Sequence, residues 1–150
     1  MRIRLIRLGS IITLINGIYA IFLGLFFVFY SKLLISKYFE EFPEVWDILV
    51  KKWISDISQY YLILIYTGFL LISFGIFTIY ISFLILKKRD KLAWVILFSG
   101  GIFSWAGLFV VNILAKNLII TIFSFIGWVS FVLGMLIPIK YYIRKELPEF

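Results

Sequence analysis

The sequence predicts an all-α integral membrane protein: an antiparallel four-helix transmembrane bundle with two amphipathic interfacial helices in its first outer loop. Three observations carry that expectation. Of the 150 residues, 63% are hydrophobic and only 15% charged, and the mean hydropathy is +1.08, a balance unlike that of a soluble domain of this length. The charges are confined, leaving uncharged runs at residues 8–31, 57–86, 92–115 and 117–139. Aromatic residues reach 21%, more than one apolar core with a wet surface requires, so lipid is the expected solvent.

Each uncharged run is long enough to span a bilayer, because about 20 residues rising ~1.5 Å each cross a hydrocarbon core ~30 Å thick. The first span, residues 8–31, follows Arg2, Arg4 and Arg7 as a signal peptide would. It far exceeds the roughly 7 to 15 residues of a cleavable apolar region, and no small-residue cleavage site follows Gly24 or Tyr30, so a retained span is expected.

The outer segment, residues 32–59, has a soluble pattern. Leu34, Ile35, Tyr38, Phe39 and Phe42 recur at three- and four-residue spacing with Lys32, Ser36, Lys37, Glu40 and Glu41 opposite, one amphipathic helical face. Pro43 cannot continue that helix and suits the first position of a second, with Glu44 in its acid-favouring first turn. The second helix carries Trp46, Leu49, Val50, Trp53 and Ile57 on one side; Asp47 and Lys51 form a favourable i, i+4 pair on the other. Trp46 and Trp53 are expected at the headgroup level or against a partner chain. The five carboxylates of this loop lie among lysines and lack the spacing of a calcium loop.

The second span is placed at about 60–86, since Ile57 to Tyr61 read as an approach helix ending in an aromatic belt. The third covers 92–115 and the fourth 117–139, where Pro138 is expected to kink or end the helix. So few residues remain outside the spans that residues 1–150 read as a single membrane domain.

Orientation follows from lysine and arginine. Ten lie at the N-terminus, in the 87–91 hairpin and beyond residue 139, against five on the other side, diluted by acids. By the positive-inside rule, both termini of this multi-pass cell-membrane protein are expected in the cytoplasm. The net charge of +7 is then a product of topology and attraction to anionic lipid. No basic groove interleaved with aromatics supports nucleic-acid binding.

The glycines follow a rule. Gly17 and Gly24, Gly68 and Gly75, Gly100 and Gly107, and Gly127 and Gly134 are each seven apart, one pair per span. Residues seven apart stay on one helical face, so these pairs predict close helix packing. The intramembrane polar residues show a second regularity, because Asn16, Thr78, Ser99 and Ser130 all lie eight to ten residues from the nearest charge on the cytoplasmic side. At ~1.5 Å per residue they share a level near mid-membrane. Buried in hydrocarbon, an Asn requires partners, and hydroxyls on neighbouring helices supply them. Polar glue is the plainer expectation; the sharper one is a pocket with Asn16 as its specific contact and Tyr19, Trp105 and Trp128 as walls.

Function is bounded by what is missing. The chain has no cysteine and no histidine, which removes thiol chemistry and the commonest metal ligand and general base. No charge interrupts a span, whereas proton-coupled carriers depend on one. No catalytic residue, cofactor or metal site is therefore expected. A non-catalytic accessory or scaffold subunit of a membrane complex is the favoured function, with an oligomeric carrier or binding protein for a neutral, apolar or lipid-like molecule as the alternative. The expected partners are the lipid bilayer and another membrane protein or a second copy.

Overall fold

A computed structural model describes residues 2–41, 54–88, 90–114 and 117–143, and every regular element among them is helical. α1 spans Arg2–Glu41, α2 Ile54–Lys88, α3 Lys91–Leu114, α4 Leu118–Leu136 and α5 Ile139–Ile143. Among the described residues four stretches are long and apolar enough to cross a membrane, Arg4–Ser31, Tyr61–Ile85, Lys91–Leu114 and Leu118–Leu136. These agree with the four uncharged runs to within a few residues at each end.

The helix ends follow local chemistry. Asp90 Oδ1 accepts from the backbone N–H groups of Leu92 (2.8 Å) and Ala93 (3.2 Å), capping α3. Asn117 caps α4 in the same way, its side-chain oxygen accepting from Ile120 N–H at 3.2 Å. At the other end of α4, Pro138 has no N–H to donate and the helix stops at Leu136. After one turn the chain resumes as α5, with Tyr141 N–H donating to the Pro138 carbonyl at 2.9 Å. The proline thus terminates the fourth span two residues before its own position.

One departure from expectation lies between the first two spans. Helical hydrogen bonding continues from the first span through Glu41, so residues 32–41 belong to α1 and do not form a helix separate from the first span. Nothing in that stretch breaks the chain: it holds no proline or glycine, and its apolar repeat is in phase with a helix. The 40-residue helix runs about 60 Å along its path at ~1.5 Å per residue. Residues 54–59 form the first turns of α2. Pro43, Trp46 and Trp53, on which the second amphipathic helix depends, lie outside the described residues.

The chain divides into two compact units, Met1–Tyr19 with Gly75–Phe150, and Ala20–Phe74. In the unit of residues 20–74, a Cβ on Gly24 would lie 2.5 Å from the Gly68 carbonyl oxygen, and one on Gly68 would lie 2.7 Å from the Gly24 carbonyl oxygen. The two backbones therefore touch there, as paired small residues permit. In the other unit, Gly17 meets the Gly75 carbonyl at 2.9 Å, Gly134 meets Thr13, and Gly127 meets the indole of Trp105. Trp94 stacks between Phe98 and Tyr142 at centroid distances of 5.0 and 5.1 Å, tying α5 back onto α3. Large apolar side chains such as Phe22, Phe29, Phe103 and Leu114 remain exposed, as expected of a multi-pass membrane protein whose outer surface faces lipid.

Gly100 and Gly107 depart from the packing rule. Among the described residues nothing comes within 4 Å of a Cβ at either position. The buried side of α3 is Ala93, Leu97, Gly101 and Trp105, four residues apart, and it is Gly101 that lies against a neighbour, the ring of Phe131. A one-residue step turns a helix by about 100°, which moves Gly100 off the packed face. Gly100→Ala and Gly107→Ala are accordingly expected to stabilise the protein by up to about 1 kcal/mol each through helix propensity, whereas Gly101→Ala is expected to destabilise it. Unfolding midpoints in detergent check the opposite signs.

Candidate functional site

α1 places Ser10, Thr13 and Asn16 at three-residue steps, and all three are buried. The Thr13 hydroxyl donates toward the carbonyls of Ser10 (3.0 Å) and Gly9 (3.2 Å), while Ser82 of α2 donates to Thr13 Oγ1 at 2.9 Å. The last bond crosses between helices. The first two return a hydroxyl to its own helix, the usual fate of threonine in an apolar surrounding.

Asn16 is the centre of a larger network. Its amide nitrogen donates to the Gly127 carbonyl and to Ser130 Oγ of α4, both at 2.8 Å. Its Oδ1 accepts from the indole N–H of Trp105 of α3 at 3.0 Å. Because an indole nitrogen only donates, this contact fixes which end of the amide faces Trp105. Ser130 in turn donates to the Gly127 carbonyl at 3.0 Å. Both amide protons of Asn16 are thus committed and its oxygen has a partner, which is what permits a side chain 1% exposed to sit among apolar helices.

Aromatic rings complete the surroundings. Tyr19 donates its phenolic proton to the Phe123 carbonyl at 2.9 Å and stacks on Trp105 with centroids 6.0 Å apart. Trp105 reaches Asn16 because Gly127 presents no side chain where the indole lies. Trp128 stacks instead on Phe109 at 6.0 Å, and its indole nitrogen is buried with no hydrogen-bond partner among the described residues.

Of the four residues expected at one level, the fold brings Asn16 and Ser130 together. Thr78 is fully buried, yet its hydroxyl has no partner among the described residues. Ser99 leaves the layer altogether: it is exposed and donates to the carbonyls of Val95 (3.0 Å) and Ile96 (3.2 Å) of its own helix. Equal depth does not mean equal face, and Ser99 lies midway between Leu97 and Gly101, opposite the packed side of α3.

Sequence reasoning overlooked the Thr13–Ser82 pair and the carbonyl of Gly127 as the main acceptor. The three-residue repeat Ser10, Thr13, Asn16 was the available signal for the first, whereas a backbone acceptor leaves no trace in sequence. Chemically, the arrangement exchanges hydrogen bonds among neutral groups; the Tyr19 phenol at its edge is the one ionisable side chain in it. Among the described residues no group of three or more Asp or Glu side chains is placed to hold a metal. Comparison with family models, curated proteins and solved structures finds no match to this chain.

Proposed function

We propose that this chain is a multi-pass protein of the cell membrane, an antiparallel four-helix bundle with cytoplasmic termini, and that it serves as a non-catalytic accessory or scaffold subunit of a membrane complex. The observation that supports this reading is the closed state of the Asn16 network. A carrier exposes its intramembrane polar group to the ligand, whereas here both Asn16 amide protons are spent on Gly127 and Ser130. Hydrogen bonds of that kind hold helices in register. The exposed aromatic surface of the helices and the outer segment bearing Trp46 and Trp53 are the contact regions this role calls for.

Native mass measurement after mild solubilisation tests the role: a stoichiometric partner chain is expected, and a homogeneous homo-oligomer retaining a small molecule overturns it. In the same preparation, Asn16→Leu is expected to shift stability by on the order of 1 kcal/mol. Loss of binding of a co-purified small molecule by a still-folded Asn16→Leu protein points to the carrier instead. The orientation has its own test, since the chain is free of cysteine. Arg4→Cys and Lys88→Cys are each expected to resist an impermeant thiol reagent in intact cells, and labelling at both from outside inverts the topology.

A further inference from the structure

We draw no further inference here: the strongest candidate, the outward face of α3 where Gly100, Ser104 and Gly107 stand exposed, is a stripe of small residues, and nothing in the structure shows what covers it.

Discussion

Gly68→Leu is expected to destabilise the unit of residues 20–74 by about 3 kcal/mol or more, at the upper end of what overpacking costs. The reason is the identity of the atoms that would be struck. A Cβ at Gly68 would sit 2.7 Å from the Gly24 carbonyl oxygen and 2.8 Å from Val28 Cγ2. A side-chain methyl can rotate aside, but the carbonyl belongs to the hydrogen-bonded backbone of α1 and moves only with the helix. Gly24→Leu meets the same obstacle from the other side. Both variants should lower the unfolding midpoint in detergent, while Gly100→Leu, which has open space before it, leaves the midpoint near that of the unaltered protein. If all three behaved alike, close backbone approach at the Gly24–Gly68 contact would be refuted.

Gly127→Leu carries the second large effect, because the new side chain would occupy the space of the Trp105 indole. Trp105 is itself almost fully buried, stacks on Tyr19 and donates to Asn16. Displacing it strands the indole N–H and leaves Asn16 Oδ1 without that donor, so the packing cost is compounded by about 1–3 kcal/mol for unsatisfied polar groups. Since Gly127→Leu already breaks the Trp105–Asn16 bond, the double variant with Asn16→Leu is expected to lose less than the two single losses combined. A double-mutant cycle by denaturant titration in detergent measures this. Strict additivity would mean that the indole and the amide do not act as one network.

The polar residues show where sequence reading succeeds and where it stops. Asn16 and Ser130 were legible as partners because depth can be counted from the flanking charges, and two polar groups at one depth in an apolar environment gain by meeting. Ser99 satisfied the same count and faces away, since counting residues along an axis says nothing about rotation around it. Gly100 fits the seven-residue spacing from Gly107, yet the four-residue series Ala93, Leu97, Gly101, Trp105 runs along the packed side. Adjacent glycines are indistinguishable until a neighbouring helix selects one.

Helix identity and span length were determined by the sequence itself. Lipid offers no hydrogen-bond partners, so an uncharged run of more than 20 residues has helix as its stable way across, and that requirement acts on composition alone. Capping at Asp90 and Asn117 and termination before Pro138 are equally local, being set by side chains within a few residues of each helix end. Only the tertiary structure decided which face of each helix is buried. It also decided that Asn16 bonds the Gly127 carbonyl, 111 residues away in sequence. When nearly every side chain is apolar, the contrast between inward and outward faces is weak; the choice then falls to steric fit, and steric fit is a property of two helices at once.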